Sequence, residues 1–160
     1  MAQATLDHII VAAATLAQGC DYVESGLGVR PQTGGRHVLM GTHNALLKLG
    51  PRLFLEVLSV DPRAPAPARP RWFDLDEPRM RASLTDGPRL VHHVARTDDI
   101  EALASGSPTD LGEILQLTRG DFRWRIRRLR ACRHLSEPPY QADCTVRRRR
   151  SRRRIRPRAC

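Results

Sequence analysis

Aromatic residues, lysine and long apolar runs are all scarce in this chain. Its 160 residues include only two Trp, two Tyr and three Phe, and Lys48 is the single lysine. No apolar run approaches the ~20 residues that a membrane-spanning helix needs, and the first residues lack the basic start of a signal peptide. None of the four cysteines forms a C-x-x-C pair. These absences predict a cytoplasmic protein with reduced thiols and no membrane partner.

Charge is present in abundance but is divided unevenly along the chain. The net charge is +10 at pH 7, yet residues 1–122 hold 12 basic and 15 acidic groups, a net charge of −3. Residues 123–160 hold 15 arginines against Glu137 and Asp143, a net charge of +13. A basic average usually points to nucleic acid or an anionic membrane, but here it describes only the C-terminal segment.

The first 60 residues predict a strand, a helix and three further strands. Residues 6–11 form a short β-branched run, and Thr15 begins a capping box at the start of a helix. Gly34-Gly35 is interpreted as a turn, and the next two strands are predicted at residues 36–40 and 45–49. Residues 53–60 are strongly apolar and complete this first unit.

A similar pattern returns after a proline-rich interval. Residues 61–88 predict a linker with a short helix that begins at Pro78. Residues 90–95 match residues 6–11 as a short strand with a histidine in the third place, and Thr97 can cap a following helix. Residues 111–117 and 122–126 are further strand candidates. The pattern then stops, so the second unit, residues 89–126, is predicted to be incomplete.

Three stretches together resemble the glyoxalase-like domain of the vicinal-oxygen-chelate superfamily, to which glyoxalases, bleomycin-resistance proteins and extradiol dioxygenases belong. They are Leu6-Asp7-His8-Ile9-Ile10-Val11, the stretch from Gly34-Gly35-Arg36-His37 to Gly41-Thr42-His43-Asn44-Ala45-Leu46, and Leu53-Phe54-Leu55-Glu56. The resemblance covers roughly residues 5–126. It implies an α+β fold of paired βαβββ modules whose sheets curve around a cavity, with the second module incomplete here. It also implies a divalent metal, held by one His or Glu from each of four strands, that chelates vicinal oxygens of the substrate.

His8, Glu56 and His92 are the candidate metal ligands. The resemblance puts His8 at the first ligand position, and His92 matches His8 by pattern. Glu56 lies in a strand that is apolar on both faces, where an unpaired carboxylate would cost several kcal/mol. Glu56 is also the candidate catalytic residue, as a proton shuttle. The metal could be Zn, Fe, Mn or Ni. Alternatives stay open: His8 could be a hydrogen-bonded core histidine, Glu56 could be solvated, and His92 could bind nothing.

His37, Thr42 and Asn44 match the family motif and are candidate substrate-binding residues. Their alternative role is structural, because Thr and Asn side chains stabilise turns by bonding to nearby backbone. No fourth metal ligand follows residue 126 in this interpretation. Three ligands with an open position can still form a catalytic site.

Residues 127–160 are predicted to be a disordered, arginine-rich tail. Its charge density prevents the burial that folding needs, although clustered arginines could also bind nucleic acid non-specifically. The excess of arginine over lysine suggests a GC-rich gene, and the pattern ends abruptly, so a frameshift near residue 126 is a third hypothesis. Cys132, His134, Cys144 and Cys160 have no spacing typical of a zinc finger.

The sequence therefore predicts a metal-dependent enzyme of the lyase, isomerase or dioxygenase kind, acting on a small oxygen-rich substrate. The alternative is a non-catalytic, resistance-type protein of the same fold that binds small molecules. A homodimer is a further candidate assembly. No nucleophile elbow, phosphate-binding glycine loop or dinucleotide fingerprint is present, so the sequence gives no support to those reaction classes.

Overall fold

The computed structural model describes residues 3–107, 112–119, 122–128 and 144–150. Within these residues the chain forms three α-helices: α1 (Leu16–Leu27), α2 (Pro78–Thr85) and α3 (Ile100–Ser105). It also forms eight strands: β1 (Ala4–Ala12), β2 (Gln32–His37), β3 (Thr42–Lys48), β4 (Phe54–Val60), β5 (Arg89–Thr97), β6 (Ile114–Arg119), β7 (Phe122–Arg128) and β8 (Cys144–Arg150). Short 3-10 turns lie at Val38–Met40 and Trp72–Asp74. The fold class is α+β, as predicted.

The eight strands form one sheet in the order β2-β3-β4-β1-β5-β8-β7-β6. This order divides into two βαβββ modules, β1-α1-β2-β3-β4 and β5-α3-β6-β7-β8. In each module the first strand pairs in parallel with the last, as β1 does with β4 and β5 with β8. The two modules join through the antiparallel pair of β1 and β5.

The pairing of β1 with β5 relates the two modules by an approximate two-fold axis. Ile9 lies opposite His93, and the flanking pairs are His8 with Val94 and Ile10 with His92. An axis through the Ile9–His93 pair exchanges His8 with His92. The structure therefore gives these two histidines equivalent positions on their strands, as their sequence pattern predicted.

The second module is more complete than the sequence predicted. Residues Cys144–Arg150, inside the segment predicted to be a disordered tail, form β8, which pairs with both β5 and β7. Its arginine density predicted an unfolded segment, but a strand between two others is held by main-chain hydrogen bonds. The fold therefore does not end at residue 126. A frameshift near that residue stays a hypothesis, which resequencing of the gene would test. The remaining residues of 129–160 lie outside the described residues.

The first hairpin also differs from the prediction. Gly34 and Gly35 lie inside β2 rather than in a turn, and the β2–β3 register is irregular between Thr33 and Arg36. The turn instead follows at Val38–Met40 and ends at Gly41, whose φ of 57° is left-handed. A glycine pair can form a turn, but it can also lie inside a weakened strand. The sequence alone therefore did not distinguish a turn from a strand at this position.

Side-chain alternation in the strands gives the sheet two apolar faces. On one face, Val11, Ala45, Leu55 and Val57 of the sheet pack against Cys20 and Val23 of α1. The other face, here called the inner face, carries the larger core of Ile10, Ala12, Met40, Leu58, Trp72, Leu75, Leu84, Val94, Leu115, Leu117 and Ile126. Because successive side chains in a strand point to opposite sides, even-numbered residues of β1, β3 and β4 lie on the inner face.

Helix α1 begins where its capping residue Thr15 predicted. The side chain of Thr15 accepts a hydrogen bond from the backbone N–H of Gln18, and Gly28 ends the helix with a φ of 70°. Gly19 of this helix lies so close to the sheet that an added Cβ would be 2.4 Å from a Val57 methyl carbon. Among the described residues, no helix is long and apolar enough to cross a membrane.

Candidate functional site

Three polar side chains of the first module meet on the inner face. Glu56 on β4 lies opposite Ile10 on β1 and opposite Leu46 on β3. His8 and Asn44 are each two residues away on those neighbouring strands. Diagonal neighbours on one face of a sheet lie within reach of long side chains. Both side chains consequently reach the Glu56 carboxylate from opposite sides.

The Glu56 carboxylate is buried, and each of its two oxygens contacts a polar side chain. Its Oε2 lies 3.1 Å from Nε2 of His8, and its Oε1 accepts a hydrogen bond of 2.5 Å from Nδ2 of Asn44. Nε2 of His37 lies 3.8 Å from the same Oε1. Burial alone would raise the pKa of Glu56, but the hydrogen bond and charge of His8, with His37 and Asn44, hold it below its usual value. Glu56 is therefore ionised near neutral pH.

Asp7 binds the other nitrogen of the His8 ring. The register of β1 against β5 shifts between Leu6 and His8, and this irregularity brings Asp7 Oδ2 to 2.8 Å from His8 Nδ1. Bulges commonly redirect a side chain in this way. Asp7 Oδ1 in turn accepts a hydrogen bond of 2.7 Å from Nη1 of Arg96. The result is a chain of alternating charge from Arg96 through Asp7 and His8 to Glu56.

The surroundings of the His8 imidazole favour its protonated form. Burial by itself would lower the pKa of His8, but the hydrogen bonds and charges of Asp7 and Glu56 outweigh burial and raise it. Ionised carboxylates can only accept hydrogen bonds, so both ring nitrogens donate in this arrangement. The ring also stacks on Phe54, with centroids 4.5 Å apart and planes at 17°.

The predicted substrate-binding residues have different roles in the structure. His37 and Asn44 line a cavity, whereas Thr42 is buried beside it. Thr42 Oγ1 lies 3.0 Å from Nδ1 of His37 and so orients that ring. Asn44 Oδ1 accepts a 2.7 Å hydrogen bond from the backbone N–H of Gly35. An added Cβ at Gly34 would lie 2.1 Å from the same oxygen, so this glycine leaves room for Asn44.

The cavity beside Glu56 has a volume of about 160 Å³. Module one supplies all of its polar residues except Arg123, and module two and the linker supply most of its apolar residues. Its lining consists of Asp7, His8, His37, Asn44, Leu46, Phe54, Glu56, Trp72, Phe73, Val94, Arg123, Trp124 and Ile126. A small concave site with a few convergent polar groups is the usual form of a binding or active site.

The predicted metal ligands do not assemble into one set. His8 and Glu56 are adjacent, but the ring of His92 packs against Phe73, with centroids 4.8 Å apart. In the described part of the chain, no three His, Cys, Asp or Glu side chains are grouped so as to hold a metal ion. The donors present therefore do not fit the predicted three-ligand site in this arrangement.

Sequence reasoning missed Asp7, Arg96 and Trp72 as parts of the site. Asp7 precedes His8 in a strand, where alternation would point it to the other face, and only the bulge changes that. Arg96 lies 89 residues from Asp7 along the chain. The position of Trp72 beside His37, with ring centroids 5.0 Å apart, depends on the path of the linker.

Comparisons with known proteins agree with this architecture. The model of the glyoxalase-like domain family matches residues 6–158. The chain therefore belongs to the glyoxalase-like domain family. The match extends beyond residue 126, where the sequence resemblance was predicted to end. No match was found among curated proteins.

Solved structures share the fold at low identity. A hypothetical protein from Staphylococcus aureus is 17% identical with a TM-score of 0.61, over 93% of this chain and 60% of that one. The chain thus spans less than two thirds of that protein. A methylmalonyl-CoA epimerase from Streptomyces coelicolor, in complex with 2-nitronate-propionyl-CoA, is 20% identical with a TM-score of 0.47, over 77% of this chain and 83% of that one. The epimerase from Mycobacterium tuberculosis is 16% identical, with the same TM-score, over 76% of this chain and 77% of that one.

Proposed function

We propose that this glyoxalase-like domain is an enzyme that moves a proton on a small, oxygen-bearing substrate. Glu56 is the base and His8 is the acid. The observation that carries the proposal is a buried, ionised carboxylate on the wall of a cavity, 3.1 Å from a protonated imidazole. Acid–base pairs of this kind typically contribute 10²–10⁴-fold to a rate.

The geometry suggests how the pair would work on a carbonyl compound. A carboxylate oxygen of Glu56 takes the proton from the carbon next to the carbonyl. The electron pair of the broken C–H bond moves to the carbonyl oxygen, which gains negative charge. The His8 imidazolium, whose Nε2–H pointed towards Glu56, then donates its Nε2 proton to that oxygen. Delivery of a proton to the opposite face of that carbon, while the enol oxygen gives its proton back to His8, completes an isomerisation. Departure of a leaving group from the next carbon instead completes a lyase reaction.

Asp7 and Arg96 are positioning residues in this scheme. Asp7 fixes the orientation of the His8 ring through Nδ1, and Arg96 holds Asp7. Asn44 holds the second oxygen of Glu56, so one carboxylate oxygen stays directed towards His8. Side chains locked by such neighbours keep reacting groups aligned.

Proton exchange tests the proposal directly. The protein is incubated in D₂O with methyl ketones, and deuterium incorporation beside the carbonyl is followed by proton NMR. We expect exchange above the buffer rate, and a loss of about 10²-fold or more in Glu56→Gln. Glu24→Gln, on the exposed side of α1, is the matched control. Undiminished exchange in Glu56→Gln would contradict the role of Glu56.

A metal-dependent form of this activity is a second candidate. Bonding of His8 Nδ1 to the Asp7 carboxylate, with Nε2 directed towards Glu56, is typical of metal-ligating histidines. A bound Zn, Fe, Mn or Ni ion would supply Lewis-acid stabilisation of substrate oxygens. This candidate needs a third ligand, for which His92 remains the prediction. Metal content after exhaustive dialysis, with Glu56→Ala as comparison, tests it: stoichiometric metal that Glu56→Ala removes supports the candidate.

A non-catalytic binding protein is the third candidate. Seven of the cavity's lining residues are apolar, which favours ligand binding with or without chemistry. Saturable binding of ketones without any proton exchange would support it.

The arginine-rich segment, residues 127–160, remains a predicted non-specific nucleic-acid contact, which steep salt dependence of DNA binding would test. A homodimer also remains a prediction, which a molar mass from light scattering would test.

A further inference from the structure

Most of the chain's few aromatic side chains line one cavity. Of its seven Phe, Trp and Tyr residues, both tryptophans and two phenylalanines are part of the lining. They are Phe54, Trp72, Phe73 and Trp124. Aromatic rings that serve as general core filler would be spread over both apolar faces of the sheet. Among the residues that the structure describes, the core under α1 contains no Phe, Trp or Tyr.

Two of these rings are in direct contact with the histidines of the site. Phe54 stacks on His8, and Trp72 meets His37 edge-on, with planes at 78°. Phe73 lies 5.8 Å from Trp72, centroid to centroid. Phe54, Phe73 and Trp124 are only partly buried, so ring surface remains available to a ligand in the cavity.

The approximate two-fold symmetry shows that the second module supplies an apolar wall. Asn44 pairs with Leu58 in module one, and the equivalent pair in module two joins Ile126 to Val146. Ile126 thus stands where module one has Asn44. Trp124, two residues earlier, stands where module one has Thr42. Apart from Arg123, the polar groups of the cavity therefore come from module one, and module two contributes apolar surface.

We infer that the substrate carries a planar aromatic or conjugated group bonded to its oxygen-bearing carbon. The planar group packs against Phe73 and Trp124, while the carbonyl end reaches His8 and Glu56. Aromatic pairs contribute about 0.5–1.5 kcal/mol beyond the area that they bury, which corresponds to a preference of roughly threefold to tenfold over a saturated ring of similar size. This inference rests on the proposed function for the position of the carbonyl.

Two matched probes test the planar preference. Acetophenone and cyclohexyl methyl ketone share a methyl ketone and a six-membered ring, but only the first is planar and aromatic. Binding is measured by ¹⁵N-resolved NMR titration of the two indole N–H signals, which Trp72→Phe assigns. We expect acetophenone to bind roughly threefold to tenfold more tightly and to shift the Trp124 signal most.

Variants separate ring recognition from folding and from chemistry. Trp124→Leu should bring the two dissociation constants together, and Trp124→Phe should keep a preference for acetophenone. Tyr22→Leu removes an exposed aromatic ring of α1 and should change neither constant. Equal or tighter binding of the cyclohexyl ketone by the unaltered protein, or no binding of either ketone, would overturn the inference.

Glu56→Gln distinguishes this inference from the proposed function. If the variant keeps the acetophenone preference and loses proton exchange, both hold. If it keeps the preference and also keeps exchange, the proposed base is wrong while the ring site stands. If the unaltered protein exchanges protons with both ketones equally and shows no binding preference, the acid–base proposal stands and the aromatic specificity fails.

Discussion

Nε2 of His8 lies 3.1 Å from Oε2 of Glu56, and each residue is less than a tenth exposed. Each charge stabilises the other, because the pKa of His8 is raised and that of Glu56 is lowered. Burial opposes both shifts, so the pair depends on the hydrogen bonds that surround it. Asp7 and Asn44 supply those bonds at the two ends of the pair.

Stability should pass through a maximum between the two pKa values of this pair. The contribution of Glu56 is present above its ordinary value of 4.5 and is lost as pH falls through its lowered folded-state pKa. The contribution of His8 is full below its ordinary value of 6.5 and is lost as pH rises through its raised folded-state pKa. Melting temperatures measured across this range should show both limbs, and His8→Gln should flatten the alkaline one. An alkaline limb unchanged in His8→Gln would count against the ion pair.

Removing one partner of the pair should be costly. Glu56→Ala removes the carboxylate that Nε2 of the buried His8 cation and Nδ2 of Asn44 both contact, and breaking a buried pair in this way typically costs about 3–5 kcal/mol. Glu24→Ala removes an ion pair with Arg30 that is largely exposed, for which about 1 kcal/mol or less is expected. Urea unfolding curves of the two variants make the comparison. Similar losses in both would show that the buried pair has no special contribution.

Two glycines of α1 should respond to alanine in opposite directions. A Cβ at Gly19 would lie 2.4 Å from a Val57 methyl carbon and 2.9 Å from the Ala13 Cβ, so Gly19→Ala should destabilise by about 1–3 kcal/mol through overpacking. A Cβ at Gly26 meets nothing within 4 Å, and Gly26→Ala should stabilise by about 0.5–1 kcal/mol through helix propensity. Thermal or urea unfolding checks both. A stabilising Gly19→Ala would show that α1 sits farther from β4 than in this structure.

Phe73 should control access of a metal ion to His92. Its ring packs against the imidazole of His92, and Phe73 has a φ of 55°, a left-handed conformation that costs about 1–3 kcal/mol for a non-glycine residue. Phe73→Gly relieves that conformation and removes the ring contact with His92. We expect Co²⁺ affinity, measured by calorimetry and by visible absorption, to rise at least about tenfold, since a third donor joins His8 and Glu56. The added substitution His92→Ala should cancel the gain. Unchanged affinity in Phe73→Gly would argue against His92 as a ligand.

The sequence alone determined the features that depend on near neighbours. Residues 6–11 predicted a strand from β-branched composition, and Thr15 predicted the helix start that the structure confirms. The repeat of a histidine in the third place of two similar strands predicted equivalent positions for His8 and His92, and the strand register agrees. Periodicity and capping act over a few residues, so they can be read directly from the chain.

Only the tertiary structure decided which of these residues share a site. The bulge that brings Asp7 to His8, the diagonal placement of Asn44 beside Glu56 and the linker path that packs Phe73 against His92 all depend on strand register and on contacts between distant segments. The strand at Cys144–Arg150 escaped prediction for the same reason. Its pairing comes from two neighbouring strands, β5 and β7, whereas its own arginine-rich composition argues against any folded state. Hydrogen bonds between strands join backbone N–H and C=O groups and do not involve the charged side chains. The amino-acid composition of this segment therefore could not reveal its pairing.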